Sequence, residues 1–132
     1  MKQNRLSLPV LFLTLLSVTG IFNPVQPAHA SPPEFVSVIS DLPLMPGLTE
    51  DPVASVVFET KSGRIAQAVA HGAVDRQAVL DFYADALPQL GWQEASRQQY
   101  RREGEVLNIE LVVDPAVPGR LTVEFNLVPA PS

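Results

Sequence analysis

The stretch Asp75–Trp92, DRQAVLDFYADALPQLGW, constrains the fold of this chain more than any other. Val79, Phe82, Tyr83, Ala86, Leu87 and Leu90 recur at i, i+3, i+4, i+7, i+8 and i+11, which places them on one helical face. Arg76, Asp81, Asp85 and Gln89 fall on the other faces and can stay in water. Asp75 is the expected N-cap, because its carboxylate can accept from the first unpaired backbone N–H groups. Gly91 suits the left-handed turn just past a helix end, and Trp92 follows as a large apolar anchor. Phe82, Tyr83, Leu87, Gly91 and Trp92 are therefore the expected structural residues. Pro88 leaves two readings open: a kinked helix finishing in a short turn over Pro88–Leu90, or a helix ending near Leu87. The apolar spacing of Leu90 favours the first.

A helix with one apolar face needs a surface to bury it against, and the flanking sequence reads as strands. Val53–Thr60, VASVVFET, is an expected strand with Val56 and Phe58 on one face. Lys61-Ser62-Gly63 is a turn, and Arg64–Ala70, RIAQAVA, is the return strand. Ala66, Ala68 and Ala70 line one of its faces, and Ile65, Gln67 and Val69 the other; alternation alone does not say which is inward, though small alanines would let a helix lie close. After the helix, Glu94–Arg102 (EASRQQYRR) is expected as one polar, exposed edge strand. Glu105–Asp114 alternates with Leu107, Ile109, Leu111 and Val113 inward and Asn108 and Glu110 outward, and Arg120–Val128 with Leu121, Val123, Phe125 and Leu127 inward. The order β-β-α-β-β-β predicts an α+β fold: a mostly antiparallel sheet with one amphipathic helix packed on one face.

Met1–Ala30 stands apart. Lys2 and Arg5 give a basic start, Leu6–Phe22 carries no charge, and Ala28-His29-Ala30 is a small-x-small site. This is the pattern of a secretory signal peptide cut after Ala30, with no stable membrane span left after cleavage. The competing reading is a retained anchor, but Pro9 interrupts a run of about 17 residues that is at the lower limit for a span. Ser31–Asp51 is a proline-punctuated lead with Pro32, Pro33, Pro43, Pro46 and Gly47. Within it Phe35–Ile39 reads as a short strand. Leu42, Leu44, Met45 and Leu48 are too apolar for a free linker; packing over a sheet edge of the same domain is preferred to contact with a partner. Residues 52–128 form the single domain and Pro129–Ser132 a tail.

The chain has 9 basic and 14 acidic residues and no cysteine. Loss of Lys2 and Arg5 with the signal leaves 7 basic against 14 acidic, or −7. An acidic balance argues against nucleic acid and anionic membrane surfaces as partners. Without cysteine there are no disulfides, thiolate metal sites or lipid-bearing thiols, so an exported domain must be stable through its core. The expected location is the periplasm or the outside of the cell.

From Pro46-Gly47, through Ser62-Gly63-Arg64, to Phe82-Tyr83, Leu87, Leu90 and Gly91-Trp92, the chain resembles small exported bacterial proteins of unknown function. In these a Pro-Gly lead and a hairpin precede a helix ending in Gly-Trp, and a three-stranded meander follows. The layout is also similar to the helix-grip modules of outer-membrane assembly lipoproteins, although this chain lacks their lipidation cysteine. The resemblance implies a fold and an exported location and assigns no catalytic residue.

Few residues suggest chemistry. His71 is the one histidine after Ala30 and lies close in sequence to Asp75; it is the weak candidate for a general base. No other residue marks a nucleophile, and no cofactor or metal site is expected. Glu50-Asp51 and Asp81/Asp85 are acid pairs, and Asp81 and Asp85 sit one turn apart on a helix face that reads as solvated. Arg97, Arg101 and Arg102, with Tyr100 between them, form the densest basic patch and the candidate contact for an anion or partner. The alternative is pairing with Glu103, Glu105 or Glu110 across the hairpin. The expected function is a non-catalytic binding or interaction module for an unknown protein or envelope component. The alternative is a small hydrolase using His71 and a nearby carboxylate.

Overall fold

The computed structural model describes residues 31–131. The signal-peptide reading of Met1–Ala30 lies outside the described residues. Ten elements follow in order: β1 (Phe35–Val36), β2 (Ile39–Pro43), β3 (Thr49–Glu50), β4 (Val56–Thr60), β5 (Gly63–Gly72), α1 (Arg76–Gln89), β6 (Gln93–Ser96), β7 (Gln99–Arg102), β8 (Glu105–Val113) and β9 (Leu121–Pro129). Strands β3 to β9 form one seven-stranded sheet in the order β3-β5-β9-β8-β7-β6, with β4 also paired to β5. Every pairing in it is antiparallel. The fold is α+β, with the helix on one face of the sheet.

The ends of α1 follow from its sequence. The Asp75 carboxylate accepts from the N–H groups of Gln77 (2.9 Å) and Ala78 (3.1 Å). At the other end Gly91 takes φ +85°. The Gly91 N–H donates to the Pro88 carbonyl (3.2 Å) and the Trp92 N–H to the Leu87 carbonyl (3.1 Å). These two bonds satisfy carbonyls that the helix leaves over, in the Schellman arrangement. The helix runs through Pro88 to Gln89; a proline in the last turn forfeits one bond, to Ala84, without breaking the preceding turns.

Val79, Tyr83 and Leu87 of α1 are fully buried. They join Ala66, Ala68 and Ala70 of β5, Tyr100 of β7, Leu107 and Ile109 of β8, and Val123, Phe125 and Leu127 of β9 in one core. The alanine side of β5 is therefore the inward one. Leu90, expected on the buried face, is 39% exposed. The turn at Gly91 redirects the chain at that point and passes the anchoring role to Trp92, which is 2% exposed.

Three strand expectations are corrected. The strand expected over Val53–Thr60 begins only at Val56, because residues 52–54 form a turn whose Val53 and Ala54 N–H groups donate to the Asp51 carboxylate. Phe35–Ile39 is not one strand: Val36 pairs with Ile39 across a tight turn at Ser37-Val38. The turn lets both apolar side chains point inward, and Glu50 holds it by accepting from the Ser37 N–H (2.9 Å) and hydroxyl (2.8 Å). Glu94–Arg102 is likewise the β6–β7 hairpin, turning at Arg97-Gln98, and its Tyr100 is buried. The carbonyl of Gln98 accepts from the Ile109 N–H (2.8 Å), and its side-chain amide donates to the Ile109 carbonyl (2.9 Å), so β8 pins the turn.

The lead contributes Val36, Ile39, Leu42, Leu44 and Leu48 to the same core. It reaches the helix through Tyr83, whose hydroxyl donates to the Pro43 carbonyl (3.0 Å) and accepts from the Met45 N–H (3.4 Å). Burial pushes the Tyr83 phenol well above its ordinary range, against the opposing effect of the Met45 N–H. Further along, a Cβ at Gly72 would overlap the Gly47 carbonyl oxygen. Only glycine at the end of β5 lets the lead lie against it. Gly72→Ala is expected to destabilise the protein by about 1–3 kcal/mol, as overpacking does, read as a lower midpoint in urea unfolding.

Candidate binding face

Among the described residues one helix covers one face of the sheet, and no element packs on the opposite face. Alternation along each strand sends Gln67, Val69 and His71 of β5, Thr122, Glu124 and Asn126 of β9, and Asn108, Glu110 and Val112 of β8 to this side, away from the buried set. The register aligns them into stripes running across the strands. Gln67 pairs with Asn126, Asn126 with Asn108 and Asn108 with Gln99, giving four carboxamides in a row. Beside it Val69 pairs with Glu124 and Glu124 with Glu110. Next come Thr49, His71, Thr122 and Val112. On the far side of the carboxamides, Phe58 pairs with Ile65 and Val128 with Val106.

The carboxamide row is only partly self-satisfied. Gln99 donates to Asn108 (2.9 Å), while the side chains of Gln67 and Asn126 have no hydrogen-bond partner among the described residues. Glu110 and Glu124 stand directly opposite each other with no salt bridge among the described residues. Like charges facing across a strand pair are destabilising. The face thus combines unused donors and acceptors with uncompensated negative charge.

The residues singled out from the sequence lie mostly elsewhere. Arg97, Arg101 and Arg102 do not form one patch. Arg97 pairs with Asp81 of α1 at 2.6 Å. Arg102 pairs with Asp41 of the lead, stacks over the Trp92 ring at 4.2 Å from its centroid, and donates to the Leu90 carbonyl (2.9 Å). Arg101 is exposed on the open side, opposite Val106. Among the described residues these arginines make no ion pair across the hairpin, and Glu105 is taken by Arg64 of β5 at 2.8 Å. The acids that neutralise Arg97 and Arg102 come from the helix and the lead, brought there by the tertiary fold.

His71 lines a shallow cleft of about 360 Å³ with Thr49, Ala73, Pro118 and Arg120, and no carboxylate lines it. Asp75 is committed to the helix cap. Among the described residues no group of three His, Cys, Asp or Glu is placed to hold a metal ion, and no helix is long and apolar enough to cross a membrane. Tyr83, Leu87 and Trp92 are buried, Phe82 is half-buried against Tyr83, and Gly91 makes the closing turn. A second cleft, about 540 Å³, lies between the lead and Phe82 and is walled by Pro32, Pro33, Pro43, Leu44 and Pro46. Comparison with protein-family models, curated proteins and solved structures finds no match to this chain.

Two anchors near the helix end carry polar atoms without partners. Trp92 Nε1 and the Tyr100 hydroxyl are buried and make no hydrogen bond among the described residues. Burial, then the neighbouring Glu94 carboxylate, hold the Tyr100 phenol above its ordinary range. On the surface, the Gln77 amide and then Arg97 hold the Asp81 carboxyl below its ordinary value. A depressed carboxylate stabilises the fold above its unfolded pKa, and that contribution is lost as pH falls through the folded value. NMR titration of the Asp81 carboxyl is expected to show a midpoint below the ordinary carboxylate range. Arg97→Ala should raise that midpoint.

Proposed function

We propose that this protein is an exported, non-catalytic binding module that uses its open sheet face to recognise a partner in the cell envelope. The carboxamide row Gln67–Asn126–Asn108–Gln99 carries this reading. Such a row is a flat surface of donors and acceptors spaced by the inter-strand distance of about 4.8 Å. It suits an extended ligand with regularly placed hydroxyl or amide groups. The adjacent Glu110 and Glu124 favour a partner that brings positive charge. The N-terminal pattern Lys2, Arg5, Leu6–Phe22, Ala28-His29-Ala30 supports export. No carboxylate stands beside His71 in its cleft, so the hydrolase reading gains no support from geometry.

Asn126 sits at the centre of the face and away from the core, so Asn126→Lys blocks the surface without disturbing the packing. In crosslinking mass spectrometry in the native compartment, partner crosslinks are expected on the open face, and Asn126→Lys should lower their yield about tenfold, equivalent to about 1.4 kcal/mol. The melting temperature should stay unchanged. Equal capture by the variant would contradict the assignment of this face.

A further inference from the structure

The two edges of the sheet are built differently. One edge is β6, QEAS, short, without a large apolar residue, and broken by a register irregularity between Glu94 and Ser96. Those are the devices that keep a sheet edge from pairing with another chain. The other edge includes β4, VVFET, which carries Glu59 and follows a turn at residues 52–54, but presents three large apolar residues in a row and no register break of its own. Its register against β5 runs unbroken from Val56 opposite Gln67 to Thr60 opposite Gly63. All five of its residues are exposed. Val57 is 49% and Phe58 61% exposed, and Ile65 beside Phe58 is exposed too.

The backbone of β4 defines what can add to it. Thr60 and Gly63 flank the two-residue turn Lys61-Ser62, so they exchange both backbone bonds. By alternation Phe58 and Val56 also spend their N–H and C=O groups on β5. Val57 and Glu59 turn theirs outward, away from the sheet. An added antiparallel strand must bond at those positions.

We propose that two copies of this chain associate through β4, antiparallel, about a two-fold axis at Val57. Three symmetric registers use the outward groups. An axis at Glu59 sets two carboxylates face to face, and like charges directly opposite destabilise a strand pair. An axis at Phe58 sets Val57 against Glu59. An axis at Val57 exchanges both backbone bonds between the two Val57 residues and places each Val56 against the other copy's Phe58. Each Glu59 then lies opposite Ser55, and the two Glu59 side chains are far apart. Charge and apolar matching therefore select the same register. The contact is isologous, as two-fold interfaces are. It joins the two seven-stranded sheets edge to edge. The two carboxamide rows would then lie on a single continuous surface, a consequence that goes beyond the binding role proposed above and rests on separate residues.

The experiment uses the processed protein purified from the compartment where it resides. Light scattering after size exclusion should show a concentration-dependent dimer. Val57→Lys, at an exposed position, should shift it to monomer with an unchanged melting temperature, and Val112→Lys, on the open face away from the edge, should leave the dimer intact. In an exchanging antiparallel pair the two Val57 Cα atoms are about 5.5 Å apart, within disulfide range. Val57→Cys should thus form a covalent dimer under mild oxidation and Phe58→Cys far less of one. A monomer at every concentration, a dimer indifferent to Val57→Lys, or preferential crosslinking through Phe58→Cys would each overturn the proposal. A wild-type monomer that binds a foreign strand at β4 would overturn it as well, and none of these results bears on the Asn126→Lys test.

Discussion

Tyr83 joins the three parts of this protein. Its ring meets Phe125 of β9 edge-on at 5.4 Å, which fixes the helix on the sheet. Its hydroxyl reaches the backbone of the lead at Pro43 and Met45. A buried phenol without partners would carry a desolvation cost; here the cost is offset by two backbone groups of the lead, the Pro43 carbonyl and the Met45 N–H. Pro43 ends β2, where the lead leaves regular structure and its carbonyl needs a donor. Phe82, packed edge-on against Tyr83 at 5.0 Å, then forms the wall of the cleft beneath the lead. The lead is thus part of the core, with Ile39 and Leu42 as deeply buried as any residue of the sheet.

The same economy explains the open face. Among the described residues there is one helix to lay on the sheet, and an antiparallel sheet can leave its second face to water. The inner face is built from alanine on β5 and large apolar residues on β8 and β9, and the buried side chains of the helix share one core with them. The outer face carries amides, acids and threonines in register. Solvation alone would accept any polar mixture. It does not require like residues to line up across four strands, nor two glutamates to face each other without a counter-charge. That ordering is what supports the proposal of a recognition surface.

What could be read in the sequence depended on how local the cause was. The helix was legible from Asp75 to Trp92 because its cap, its spacing and its glycine lie within it. The long strands β8 and β9 were legible from their alternation, although at the end of β8 Val113, expected inward, is exposed. The turn at Ser37-Val38 was not, since the group that holds it, Glu50, is 13 residues away and no glycine or asparagine marks it. The break at Arg97-Gln98 is held by β8 and is equally unmarked. Arg102 finds Asp41 across 61 residues, a partner no window along the chain could suggest. Leu90 kept helical spacing to the end, but a Schellman turn carries the chain away from that spacing, so the burial fell to Trp92. The open face was half visible: alternation showed that Asn108 and Glu110 point away from the apolar side, but the stripes exist only once the strand order and register are set.

The central claim is that lead, helix and sheet form one cooperative unit held at Tyr83. Native-state hydrogen exchange tests it most directly. The Leu44 amide, bonded to the Glu34 carbonyl at 2.8 Å in the lead, can be compared with the amides of Tyr83 in α1 and Phe125 in β9. The account predicts that all three open with the same free energy, that of global unfolding. Exchange of Leu44 through a separate, much cheaper opening, with Tyr83 and Phe125 still protected, would contradict it.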